Sequence, residues 1–377
     1  MSYFNPPANN FAPINQLLKC GEEWTHNHND NEQYDEEDDD DDFHGPITFH
    51  VQLPSQSGSG MQLLRFNCRD KSSGVLLPSE PSVKKEDTYD GPSDPFFFEK
   101  GFYMEAKTGF QVWPGSRLMV EAFTCSSEVS PNANGIIEHL KDQLSHGGKL
   151  NILEVGAGMG VVGSCLAAAG GNVLITDLPV LVEHGIGRNL CRNGRANSIR
   201  TDSDEEACNW QQSCPKFLID ACAYETTTDA ASYDAVKLGR GWARAAVLDW
   251  FKPLNEQLPL STTSDIDVIV ACDCIFLRKL ANPLLTTIAT IFEHSIAKNP
   301  KFFFTFQRRN MLGLFIQLEE LLGMFEERGW AVECVAWRDV DVEDDGVHQN
   351  YLFQVTPSER VESLDGSAQV IEEEKKE

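Results

Sequence analysis

The stretch ILEVGAGMGVVG, Ile152–Gly163, decides how this chain is read. LNILEV is a run of β-formers that stops at Val155, and GVVGSCLAAAG, starting near Gly160, reads as a helix. Between them, Gly156, Gly158 and Gly160 open backbone angles that other residues resist, and they let a ligand approach the main chain. The start of the helix adds N–H groups with no partner inside the helix. Outward from the loop, NVLITDL is a second strand ending on Asp177, 21 residues after Gly156. An acid roughly 20 residues past such a loop accepts hydrogen bonds from ribose hydroxyls. Strand, glycine loop, helix, strand and acid in that order point to a nucleotide site.

The same alternation continues. PVLVEHGIGRNLCRN reads as a helix; AAVLDW, DVIVACD and FFFTFQ read as short buried strands. LRKLANPLLTTIATIFEHSIA and MLGLFIQLEELLGMFEERG are helical, and VECVAW and NYLFQV form a closing pair of strands. Strands alternating with helices imply βαβ units and a mostly parallel sheet covered on both faces, with ligands outside the carboxyl ends of the strands. Upstream, ITFHVQL and MQLLRF around SQSGSG read as a β-hairpin. The expected organisation is an acidic tail over residues 1–45 and a hairpin with a loose linker over 46–99. One domain follows over 100–356, with an insertion at about 195–244 that contains one core strand, and then a polar acidic tail over 357–377.

Net charge is −27, from 58 acidic and 31 basic residues, and ten of the acids lie between Asp30 and Asp42. This balance argues against an electrostatic grip on nucleic acid or on an anionic membrane, and it suits a basic partner. An acidic block of this kind repels itself and reads as disordered. The 11 cysteines are scattered without a CxxC pair, which suits reduced thiols in the cytoplasm or nucleus. The first residues show no basic head followed by an apolar run, and no apolar stretch is long enough to span a bilayer.

Two nucleotide readings compete. Gly158, Gly160 and Gly163 spell GxGxxG, as in NAD(P)-dependent reductases. Counted from Gly156, however, the pattern is GxGxG, with Val161 where the third dinucleotide glycine would fall. Glu154 also stands inside the strand, where that signature is usually apolar. The pattern ExGxGxG resembles motif I of class I S-adenosylmethionine-dependent methyltransferases, and more closely methyltransferase family 16, the seven-β-strand protein-lysine methyltransferases. TGFQVWPGSRLM (Thr108 to Met119), VLDW (Val247 to Trp250), DCIF (Asp273 to Phe276) and LCRN ending at Asn193 carry the resemblance further. It covers about residues 100 to 356 and implies a Rossmann-like seven-stranded α/β fold with a final antiparallel strand.

The resemblance also implies roles. Glu154 and the loop Gly156, Ala157, Gly158, Gly160 would hold the methionine part of the cofactor and pack on the ribose. Asp177, with Leu178 beside it, would bind the ribose hydroxyls. Asp249 and Trp250 would hold and cover adenine, although Asp249 also suits a plain turn cap. Trp113 would border the sulfonium side, and Cys272 is expected among the cofactor-binding residues.

The acceptor residues fall in IVACDCIF, Ile269 to Phe276. Cys272, Asp273 and Cys274 make a poor zinc set without a further Cys or His at ligand spacing. Asp273 is expected to accept an N–H from a neutral amine and aim its lone pair, and Phe276 to wall the channel. Relatives often carry Tyr there, and Phe removes any hydroxyl role. The expected substrate is a lysine on a protein, the expected state a monomer. A protein histidine, a small amine, or a methyltransferase-like binder without activity are the remaining readings.

Overall fold

A computed structural model describes residues 47–54, 61–68, 109–124, 139–144, 150–198, 214–221, 234–295, 299–308 and 313–357, single residues and one short turn inside these spans excepted. The two acidic tails, the linker after the hairpin and most of the insertion lie outside the described residues.

β1 (Ile47–Pro54) and β2 (Met61–Cys68) pair antiparallel in register from Ile47/Cys68 to Pro54/Met61. The main sheet holds β3 (Asn151–Val155), β4 (Asn172–Asp177), β5 (Val236–Leu238), β6 (Gly241–Val247), β7 (Val268–Cys272), β8 (Lys301–Gln307), β9 (Ala331–Val342) and β10 (Gly346–Thr356). Its spatial order is β5-β6-β4-β3-β7-β8-β10-β9. The five central strands run parallel, and β10 runs antiparallel to both β8 and β9. β3 and β7 are therefore adjacent and central, so that the ends of β3, β4 and β7 open on one edge.

Seven of these strands match the expected fold. The eighth, β5, is an addition at the edge, antiparallel to β6. It arises in VKLGRG, where Gly239 takes φ 50 in a two-residue turn between Leu238 and its partner Gly241. The core strand β6 accordingly opens at Gly241, inside the span expected to be insertion. The turn signal was present in LGRG, but a three-residue strand is too short to show an alternation.

Around the sheet lie α1 (Pro114–Thr124), α2 (Val161–Ala169), α3 (179–198), α4 (Lys216–Asp220), α5 (Leu260–Ser264), α6 (Arg278–His294) and α7 (Leu318–Glu327). α3 contains a π-helical turn, Val182–Ile186. Alternate residues of each strand serve opposite cores. Ile152, Val173, Ile175, Val270 and Phe303 pack under α1, α2, α3 and the hairpin residues Leu64 and Phe66. Leu153, Leu174, Ile269, Phe302 and Phe304 pack under α4, α6 and α7. This period-2 alternation on strands buried at both faces is the physical reason that they read as continuous apolar runs. A fully buried Phe in such a sheet contributes up to about 3 kcal/mol. The Phe304 ring stacks on Phe302 at 5.4 Å and on Phe353 at 5.0 Å.

Candidate active site

The glycine loop leaves β3 with three residues in the left-handed region, Gly156 (φ 65), Gly158 (φ 57) and Gly160 (φ 73). At Gly158 a side chain is barred twice, because a Cβ would also lie 2.6 Å from the Gly109 carbonyl oxygen. Gly160 caps α2 without a side-chain bond. The cap comes from the strand instead. Glu154 Oε2 accepts the Gly163 N–H at 2.8 Å, and a Cβ on Gly163 would sit 2.4 Å from that oxygen. Gly163 is thus the residue that lets an acidic side chain inside the sheet meet the start of a helix.

Asp177 ends β4 and turns into the same loop. Its Oδ2 accepts from Gly158 N at 2.7 Å and its Oδ1 from Leu178 N at 2.7 Å. Burial pushes this carboxyl up to about 6, against those two bonds, which lower it. Glu154, buried beside it, is pushed up to about 8, by burial above all, with the Gly163 bond opposing and the Asp177 charge adding a smaller push.

Asp273 follows β7 with φ 52, a strained conformation for a residue with a side chain. Several contacts hold it there. Asp273 Oδ2 accepts the Gly115 N–H at 2.6 Å, in the first turn of α1. Thr305 Oγ1 accepts from Asp273 N at 3.1 Å and lies 3.3 Å from Asp273 Oδ1. Gly115 has no room for a side chain, since a Cβ would be 2.1 Å from Thr305 Oγ1 and 2.5 Å from both carboxylate oxygens. Asp273 therefore anchors α1, and with it Trp113, to the end of β7. Neighbouring Cys272 and Cys274 have their thiols pushed well up, chiefly by burial, so both are neutral near pH 7. Among the described residues no group of His, Cys, Asp or Glu side chains could hold a metal ion.

One cavity of about 240 Å³ joins these parts. Of the residues expected at the site, Trp113, Gly156, Ala157, Gly158, Asp177, Leu178, Asp249, Trp250, Cys272, Asp273 and Phe276 line it. Glu154 and Gly160 do not. Glu154 corrects an expectation: its side chain leaves the strand on the α2 face, 1% exposed, and reaches the helix behind the loop rather than the ligand space. Asn193 likewise is buried in α3 and donates to Asn189 O, while Asn189 donates to Met159 O and tethers the loop. Asp249 does cap its turn, accepting from Phe251 N at 3.0 Å, and it lines the cavity as well.

Sequence reasoning missed Phe251, 59% exposed at the cavity, and Lys279 on its rim. It also missed Phe315, whose ring is 6.4 Å from Phe276 and whose backbone bridges Leu277. The exposed Phe beside VLDW was the available signal for the first. The others are brought in by tertiary pairing alone.

An adenosyl ligand needs an acid for its ribose, a flat cover for its base and a main chain that allows close approach. An acid, Asp177, an indole, Trp250, and the open main chain of the Gly156–Gly158 turn stand together in a single cavity. Fold and site together define a class I methyltransferase, with S-adenosylmethionine as its methyl donor. The chain belongs to the lysine methyltransferase family, whose sequence profile it matches over residues 102–228 and 233–318.

Among solved structures it is similar to magnesium protoporphyrin IX methyltransferase (ChlM) from Synechocystis PCC 6803 with bound SAH. That match has 11% identity and a TM-score of 0.34, over 70% of this chain and 96% of that one. It is also similar to a TehB-like SAM-dependent methyltransferase from Corynebacterium glutamicum ATCC 13032 Kitasato, at 15% identity and a TM-score of 0.30, over 67% and 93% of the two chains. A search of curated proteins finds no match.

Proposed function

We propose that the protein transfers a methyl group to the ε-amine of a lysine side chain on a protein substrate. The observation that carries this reading is Asp273, held by α1 and Thr305 at the wall of the cavity that Asp177 also lines. Bound S-adenosylmethionine supplies an electrophilic methyl group on a sulfonium whose leaving group is a neutral thioether. The protein then has little covalent work to do, and alignment and exclusion of water dominate.

An ionised carboxylate offers about four acceptor positions on its two oxygens. Asp273 commits one to Gly115 and approaches Thr305 with the other oxygen, which leaves acceptor capacity for an amine N–H. Its charge attracts a lysine but favours the ammonium form, so its contribution is orientation rather than a lowered amine pKa. Phe276, lining the same cavity, offers the lysine stem an apolar wall without a hydroxyl. Asp177 would accept from the ribose, and Trp250 would cover the base beside Asp249. Trp113, carried on the turn into α1, borders the reactive end. The charge of −27 favours a lysine-rich surface as partner.

The test is labelled methyl transfer into a cell lysate, followed by acid hydrolysis and amino-acid analysis. Methyl-lysine is expected, and Asp273→Asn should slow its formation at least about 100-fold while S-adenosylhomocysteine still binds. Label in histidine or in small amines refutes the lysine assignment. A full rate in the variant refutes the role of Asp273.

A further inference from the structure

Among the described residues lining the cavity are three carboxylates, Asp177, Asp249 and Asp273, and a single basic side chain, Lys279. Lys279 is the second residue of α6, five residues beyond Cys274 and three beyond Phe276. Its backbone is held firmly. The preceding Arg278 makes a two-pronged pair with Glu320 at 2.8 and 2.9 Å and donates to Gly313 O at 3.0 Å. Leu277 bridges Phe315, and Leu280, only 8% exposed, lines the cavity beside it. The side chain itself is exposed. A primary amine on a flexible four-carbon stem is thus tethered at the wall that carries Asp273 and Phe276.

We propose that Lys279 is a methylation site of this protein, with the chain serving as its own acceptor. The proposal rests on the N-methyltransferase reading above. A tethered amine meets the reactive centre at an effective concentration no free substrate reaches, so the transfer needs no partner. The carboxylates of the cavity attract the side chain inward. In the step, the neutral Nζ lone pair forms the N–CH3 bond while the sulfonium C–S bond breaks with its electron pair going to sulfur. S-adenosylhomocysteine leaves, and the proton the ammonium gave up beforehand has gone to solvent.

The experiment uses the full chain, purified, with isotopically labelled S-adenosylmethionine and no added substrate, then peptide mapping by mass spectrometry. Label on Lys279 is expected, with a fractional rate independent of protein concentration, and Lys279→Arg removes it. A second measurement does not depend on turnover: acetylation of lysines by a soluble anhydride, with and without S-adenosylhomocysteine. With that ligand at about ten times its Kd, acetylation of Lys279 should slow about tenfold, as site occupancy dictates, while Lys216 on α4 stays unchanged. Unlabelled Lys279 in a preparation that methylates lysate proteins overturns the proposal and leaves the function standing. Label in neither removes both. Acetylation of Lys279 that ignores the ligand overturns its placement at the cavity.

Discussion

Replacing glycine by alanine inside a helix ordinarily stabilises it by about 0.5–1 kcal/mol. At Gly115, in the first turn of α1, the sign reverses. The added Cβ would lie 2.1 Å from Thr305 Oγ1 and 2.5 Å from each oxygen of Asp273. Thr305 would have to retreat by about 1 Å or more to reach ordinary contact, and the 2.6 Å bond from Gly115 N to Asp273 would break. Losing a buried bond to a charged group costs roughly 1.5–3 kcal/mol and overpacking roughly 1–3 kcal/mol, so Gly115→Ala should lose about 3–5 kcal/mol. At about 2–4 °C per kcal/mol for a domain of this size, Tm should fall by about 10 °C. Thermal unfolding measures that change. Methyl transfer should fall at least about 100-fold, since the carboxylate moves by the distance that catalysis cannot absorb. The affinity for S-adenosylhomocysteine should change far less, because Asp177, the acid proposed for the ribose, is on another strand. Gly323→Ala in α7 is the control: a Cβ there meets nothing within 4 Å, and the ordinary gain is expected. A Gly115→Ala protein with parental Tm and full activity would refute the clamp.

Other outcomes follow from the two buried carboxyls. Glu154 is raised from 4.5 to about 8, so between those values the folded state holds a proton that the unfolded chain has lost. Stability therefore falls as pH rises from 4.5 to 8, on the order of a few kcal/mol in all. Glu154→Gln, which can still accept the Gly163 N–H, should melt above the parent at pH 9 and near it at pH 4; superimposable melting profiles would sink this. Asp177, raised from 3.8 to about 6, likewise favours the folded state less as pH rises through that window. Its ionised form is the better acceptor for ribose, so calorimetry should show S-adenosylhomocysteine binding weaken by about tenfold per pH unit below 6. Asp177→Asn should bind about 10–100-fold more weakly and lose that dependence.

The parallel α/β fold, the nucleotide loop and the acid that ends β4 were legible in the sequence because each rests on local chemistry. Gly156, Gly158 and Gly160 are spaced for a turn only glycine makes easily, Asp177 ends an apolar strand, and runs such as FFFTFQ can only be buried on both faces. The closing antiparallel pair was visible for the same reason. What local pattern cannot carry is the direction of a side chain once the chain has folded. Glu154 alternates with Leu153 and Val155, so it faces α2 and caps that helix from behind the loop. Asp273 could be placed at a strand end from IVACDCIF, but its partners come from Gly115 and Thr305, 158 and 32 residues away. Lys279 joins the site because α6 begins shortly after β7 ends, and Phe315 reaches Phe276 because the segment before α7 folds back on Leu277. The sequence by itself determined the sheet, the loop and the class of ligand, because these follow from periodicity and backbone freedom. The tertiary structure alone decided which carboxylate faces the cavity, which supports a helix, and which amine stands at the cavity rim, because long-range packing sets those contacts.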